Sequence, residues 1–167
     1  MSRLGETDIY LPATGPQAAG GGQPLQRILV PVDPFGRASQ ALALAAQFSA
    51  AVGGQLRLVH VRTWEPAGRN GAGHFFFQTS EEATTVLDKA LTSVWACGVP
   101  ASGVVVEAAR SRAARAIAAE ARSWGAGVMV VARRQRTALG VLVFGSLSAQ
   151  LMRETSCPVL VMHQGER

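Results

Sequence analysis

Apolar residues along this chain gather in short runs that alternate with stretches of helical spacing. The runs lie at Arg27 to Val32, Leu56 to Val61, Val104 to Val106, Val128 to Val131 and Val159 to Met162. Nearly continuous apolar runs of about four to eight residues are typical of strands that are buried on both faces of a sheet. The pattern therefore predicts five strands of a parallel sheet.

Between these runs, apolar positions recur at spacings of three and four residues, which predicts helices with one buried stripe. The predicted helices run from Ala41 to Val52, from Thr79 to Trp95, from Ala114 to Trp124 and from Leu147 to Thr155. Gly53 is expected to end the first helix. Thr79 and Glu82 have the spacing of a capping box at the start of the second.

The alternation of strands and helices predicts an α/β fold, a doubly wound parallel sheet with a layer of helices on each face. Ligands of such sheets bind beyond the carboxyl ends of the strands, where the direction of winding reverses. The candidate segments are the turn from Val32 to Gly36 and the loop after the fourth strand.

Length and composition suit a single globular domain, because the chain has 167 residues of which 48% are hydrophobic. We assign residues 25–165 to this domain. Residues 1–24 carry Pro12, Pro16 and a run of three glycines without periodicity, so we expect a disordered or loosely attached tail. No secretory signal is visible and no apolar run approaches the roughly 20 residues of a membrane span, so we expect a cytoplasmic protein.

The charge pattern argues against two kinds of partner. Lys89 is the only lysine, which excludes a phosphate site built on a Walker-type lysine. The arginines are scattered and only 6% of residues are aromatic, so nucleic-acid binding is disfavoured despite a net charge of +5. Cys97 and Cys157 have no ligand spacing, and we expect no structural metal.

Catalytic patterns are also weak. Ser146 follows Gly145, but the second glycine of a hydrolase nucleophile elbow is missing. None of the three histidines has a metal spacing, and His60 is expected to be a packed residue at a strand end. We expect no catalytic residues.

The fifteen residues from Ala132 to Ser146 carry the strongest chemical signal. A strand end is followed by a long loop and by a helix that starts with Gly145-Ser146, and such a helix start directs backbone N–H groups at an anion. Arg133, Arg134 and Arg136 crowd the same loop. They are either phosphate ligands or solvated surface residues. The segment predicts a phosphate cradle.

This segment resembles, without a gap, the nucleotide loop of the universal stress protein family, which has Gly, two residues, Gly, nine residues and then Gly-Ser or Gly-Thr. Pro31-Val32-Asp33 is similar to the turn after the family's first strand, Leu58 to Val61 to the end of its second strand, and Ser156 to Val161 to its last strand. The resemblance extends from Arg27 to His163.

The resemblance implies a Rossmann-like sheet with strand order 3-2-1-4-5 and a regulatory module that binds an adenine nucleotide, ATP or similar. By position, Asp33 and Val61 would contact the adenosine, and the Gly-Ser pair and the loop backbone would hold the phosphates. The implied site consists of Pro31, Val32, Asp33, Val61, Val131, Ala132, Arg134, Gly145, Ser146, Leu147 and Ser148. The resemblance also implies a homodimer that pairs the last strands, Val159 to Met162.

Two departures from the family pattern leave alternatives open. Ala132 and Gln135 stand where the family has glycines, and side chains there restrict the close approach of a phosphate to the backbone. The alternative is a nucleotide-free stress-response or partner-binding module, and a slow ATPase is less favoured. Asp33 also fits a turn residue before Pro34.

The segment from Arg62 to Gln78 is expected to be a loop. Its apolar part, His74 to Phe77, could cover the cleft, contact a partner or pack under the second helix, and packing is the favoured interpretation.

Overall fold

The computed structural model describes residues 9–11, 24–36, 38–68, 73–132 and 146–162. Within these ranges the sheet has seven strands: β1 Ile9–Leu11, β2 Arg27–Val32, β3 Gln55–Pro66, β4 His74–Phe76, β5 Ala101–Ala109, β6 Val128–Ala132 and β7 Val159–Met162. The α-helices are α1 Ser39–Val52, α2 Ser80–Trp95, α3 Ala113–Trp124 and α4 Ser146–Glu154. Short 3₁₀ turns at Pro24–Gln26 and Arg110–Arg112 precede β2 and α3.

The strand order confirms the predicted fold class. The sheet runs β1-β5-β3-β2-β6-β7, and β4 pairs with β3 outside this path. The five predicted strands are mutually parallel and appear as β5-β3-β2-β6-β7, which is the order 3-2-1-4-5. The prediction of five strands was incomplete, because β1 and β4 add two short antiparallel pairings.

The first added strand lies in the segment that was expected to be a loose tail. Ile9, Tyr10 and Leu11 pair antiparallel with β5 and cover its outer edge. A run of three residues is too short a signal to predict a strand from the sequence. The rest of the tail before residue 24 lies outside the described residues, and the expectation for it stays a prediction.

The second added strand corrects the prediction of a loop from Arg62 to Gln78. β3 continues to Pro66, and β4 returns antiparallel beside it. Phe75 and Phe77 are 59% and 46% exposed, so neither is buried under the second helix, and Phe77 borders only one side of it, next to Glu82 and Val86.

The core consists of two apolar layers, one on each face of the sheet. Ile28 and Val30 belong to the layer under α1 and α2, whereas Leu29 belongs to the layer under α3 and α4. The alternation of side chains along a strand explains this division. It also explains why β2 is a continuous apolar run, since neither of its faces meets solvent.

The ends of the helices follow the predicted signals. Glu82 N–H donates to Thr79 Oγ1 at 3.1 Å and Thr79 N–H donates to Glu82 Oε2 at 2.7 Å, which confirms the capping box at the start of α2. Gly53 ends α1 with a positive φ of 62°, a conformation that favours glycine.

A largely buried ion pair fixes α3 against the sheet. Arg57 Nη2 lies 2.8 Å from Glu120 Oε1, and the two side chains are 11% and 17% exposed. Arg57 also donates from Nε to Glu120 Oε1 at 2.8 Å and from Nη1 to Ser102 Oγ at 3.1 Å. Because α3 lines the candidate site described below, this pair helps to position it.

Replacing Glu120 by Ala should lower the free energy of unfolding by about 2 kcal/mol, because the buried Arg57 guanidinium loses its carboxylate partner. Urea denaturation monitored by circular dichroism measures the change. Glu154→Ala is the control, since Glu154 is exposed and has no ion pair among the residues that the structure describes. Equal stability of the two variants would contradict the role of the pair.

Candidate functional site

A cleft of about 270 Å³ opens at the carboxyl ends of β2, β3 and β6. The winding of the sheet reverses at β2, because β3 lies on one side of it and β6 on the other. The lining is mostly apolar, and its polar side chains are Asp33, His60, Thr63 and Ser148. Mostly apolar walls with a few polar groups are typical of sites for small organic ligands.

The cleft lies on the face of the sheet that α3 and α4 cover. Val59 and Val61 belong to the apolar layer on that face, whereas Leu58 belongs to the opposite layer. The helices contribute Ala113 and Ile117 from α3 and Leu147, Ser148 and Leu151 from α4. The walls therefore come from three parallel strands and from two helices, and these rigid elements hold the lining residues in place.

The structure brings together most of the residues that the sequence predicted for the site. Eight of them line the cleft: Pro31, Val32, Asp33, Val61, Val131, Ala132, Leu147 and Ser148. Ser146 is the first residue of α4. Arg134 and Gly145 lie outside the described residues, as do Gln135 and the other loop arginines.

Sequence reasoning missed several lining residues. Val59 and Thr63 stand two positions before and after Val61, so the two-residue period of a strand could have identified them. Ala113 and Ile117 are unremarkable stripe positions of a helix. Only the packing of α3 beside the strand ends brings these two residues to the cleft.

Asp33 stands in a turn and in the cleft at the same time. Its Oδ1 accepts the Phe35 N–H at 2.8 Å, the hydrogen bond of an Asx turn. The side chain is partly exposed and lines the cleft. An ionised carboxylate has two oxygens and about four acceptor positions, so the turn leaves acceptor capacity for a ligand.

The His60 ring connects two segments of the fold by hydrogen bonds. The ring is 2% exposed, as predicted for a packed residue, and its Nδ1 lies 3.0 Å from the Val32 carbonyl oxygen. A carbonyl only accepts, so Nδ1 carries the hydrogen. Nε2 lies 2.8 Å from Oε1 of the Gln78 side-chain amide. His60 thus ties the end of β2 to the segment before α2.

Among the residues that the structure describes, no group of three or more His, Cys, Asp or Glu residues has the arrangement of a metal site. Nor is any helix there both long and apolar enough to cross a membrane.

The sequence model of the universal stress protein family matches residues 24–163 of this chain. The chain belongs to the universal stress protein family. A structure of a family member from Burkholderia pseudomallei is similar, with 26% identity, a TM-score of 0.63 and coverage of 85% of this chain and 98% of that one. No curated protein sequence gives a significant match.

Two other similar structures contain nucleotides. A universal stress protein in complex with cAMP has 21% identity and a TM-score of 0.64, over 86% of this chain and 100% of that one. The Archaeoglobus fulgidus universal stress protein in complex with dAMP has 20% identity and a TM-score of 0.60, over 83% of this chain and 98% of that one. At these identities the two likenesses establish the fold of this universal stress protein.

Proposed function

We propose that this universal stress protein is a regulatory module that binds an adenine nucleotide in the cleft between β2, β3 and β6. The supporting observation is that eight residues expected from separate motifs line one cleft. Relatives of the same fold are known in complex with cAMP and dAMP, which share an adenine base, a pentose and one phosphate.

The chemistry of the walls suggests how the nucleotide would lie. Pro31, Val61 and Ile117 offer an apolar surface for the base. The Asp33 carboxylate would accept hydrogen bonds from ribose hydroxyls. The start of α4, with Ser146 and the lining residue Ser148, would receive the phosphate, because backbone N–H groups and the helix dipole favour an anion there.

Binding rather than turnover is the activity that we infer. Phosphoryl transfer depends on groups that neutralise charge and orient a nucleophile, and metal ions commonly supply much of this. His60, the histidine at the cleft, has hydrogen bonds at both ring nitrogens and is committed to its structural role. Any hydrolysis of ATP is expected to be slow.

The central test is calorimetric titration of the full chain with AMP, cAMP and ATP. We expect saturable binding, and we expect Asp33→Asn to weaken AMP binding about tenfold or more. Asparagine keeps the Asx-turn acceptor for Phe35 N–H but removes the charge, so the unfolding temperature should not change.

Asp88→Asn, on the exposed side of α2, is the matched control and should bind AMP like the wild type. If the wild-type protein bound none of the three nucleotides, the proposal would be wrong, and the nucleotide-free module of the same fold would be the better account.

The balance between AMP and ATP should depend on Ala132. Its side chain lines the cleft at the end of β6, where the family pattern has a glycine. The double variant Ala132→Gly, Gln135→Gly should raise ATP affinity about tenfold, because shorter side chains let backbone N–H groups approach the phosphates. AMP affinity should change about twofold or less. An equal gain for both nucleotides would contradict this explanation.

We also propose a homodimer that pairs β7 with its copy. Within the described residues β7 pairs only with β6, and Leu160 on it is 43% exposed. Leu160→Lys should convert the dimer to a 17.5 kDa monomer in sedimentation velocity, because a charged edge strand resists pairing. Met152→Lys on α4, also 43% exposed, is the control. A monomeric wild-type protein at micromolar concentration would contradict the proposal.

A further inference from the structure

The β3–β4 hairpin extends the sheet beside the cleft. β3 pairs with β2 only as far as the partners Val32 and His60, and its pairing with β4 begins at Trp64 and Phe76. Both β2 and β4 thus lie on the same edge of β3, one beyond the other. The hairpin therefore occupies the space past the end of β2, where the cleft opens.

The register places Phe77 next to the cleft. Phe77 N–H donates to the Thr63 carbonyl oxygen at 3.2 Å, which continues the antiparallel pairing of Trp64 with Phe76 by one residue. Residues that face each other across such a pair direct their side chains to the same face, with Cβ atoms about 5 Å apart. Thr63 lines the cleft. Phe77 is not among the residues that line the cleft, and it also borders Glu81 and Val86 of α2, so we place its ring just beyond Thr63 at the outer end of the cleft.

Neighbouring side chains hold this ring but do not cover it. The Phe75 ring meets it edge-on, with centroids 5.4 Å apart. The Arg110 guanidinium carbon lies 5.3 Å from its centroid, and Arg110 is also oriented by Glu65 at 3.6 Å. Phe77 nevertheless remains 46% exposed. A ring that is fixed at its edges and open on part of its surface can stack with a planar group.

Contacts on the opposite face of the hairpin fix the strand that carries the ring. The Arg62 guanidinium lies 3.7 Å from the centroid of Phe76, and the rings of Trp64 and His74 are 4.2 Å apart. Arg62 is itself bound to the Glu107 carboxylate and donates to the Gln78 carbonyl oxygen at 2.9 Å. These contacts stiffen the hairpin, and a rigid surface loses less entropy when a ligand binds.

We propose that Phe77, positioned by Arg110, is a stacking surface for the purine base of the nucleotide, and this rests on the function proposed above. The phosphate would lie at the start of α4, so the base would point toward β3, where Val61, Thr63 and Phe77 follow one another on one face. Base–aromatic stacks contribute enough to change affinity about tenfold. The ring thus makes affinity depend on the base rather than on the phosphates alone.

The test compares AMP binding to three variants by calorimetry on the full chain. Phe77→Leu keeps an apolar side chain but removes the ring, and it should weaken AMP binding about tenfold. Phe77→Tyr keeps the ring and should bind within about twofold of the wild type. Phe75→Leu is the comparison variant: Phe75 pairs with Glu65, two residues farther from the cleft than Thr63, and meets Phe77 only at the ring edge, so its loss should weaken AMP binding clearly less than Phe77→Leu does.

The outcomes separate this inference from the proposed function. Wild-type AMP binding that is unchanged in Phe77→Leu, or weakened equally in Phe75→Leu, would overturn the inference and leave the proposed function intact. Absence of AMP binding by the wild type would overturn both. A readout that needs no variant is the nuclear Overhauser effect in the AMP complex: we expect contacts from adenine H2 or H8 to Phe77 ring protons, and their absence would also overturn the inference.

Discussion

The burial of β2 on both faces is the constraint from which the rest of the structure follows. Ile28, Leu29 and Val30 have no solvent exposure, and burial of an aliphatic side chain of this size contributes about 2 kcal/mol. A strand that is apolar on both sides needs helices above and below it and a strand at each edge. The doubly wound order, with β3 on one side and β6 on the other, meets both needs.

The position of the cleft is a consequence of that order. The connections that leave β2 and β6 lead to helices on opposite faces, α1 packing against the layer that contains Val30 and α4 against the layer that contains Leu29. The two strand ends therefore diverge, and a gap opens between them. On the other side of β2, the hydrogen bond between His60 and the Val32 carbonyl oxygen holds the end of β2 against β3.

The main elements of the fold could be predicted from the sequence because their signals are local. A run such as Val128 to Val131 or a stripe such as Ala114 to Trp124 marks burial directly, and the capping box at Thr79 marks a helix start. The hairpin could not be predicted in this way. Its strands mix polar and aromatic residues, and contacts such as Arg62 with Phe76 join residues that are distant in sequence.

The residues of the candidate site could be predicted only in part, for the same reason. Residues in recognisable motifs, such as Asp33 and Ser148, were predicted because their spacing follows the family pattern, and the structure places both at the cleft. Ile117 was missed because helix packing brings it there, and Thr63 because its strand continues beyond the predicted end at Val61.

If the proposed function holds, the two ends of the cleft also differ chemically. The end of the cleft near Ala132 carries a methyl group where the family has none, whereas the end near Thr63 continues into an aromatic ring. The nucleotide would then be recognised more through its base than through its phosphates. Affinity for a nucleoside monophosphate would fall less than affinity for a triphosphate, because the monophosphate makes fewer contacts near Ala132.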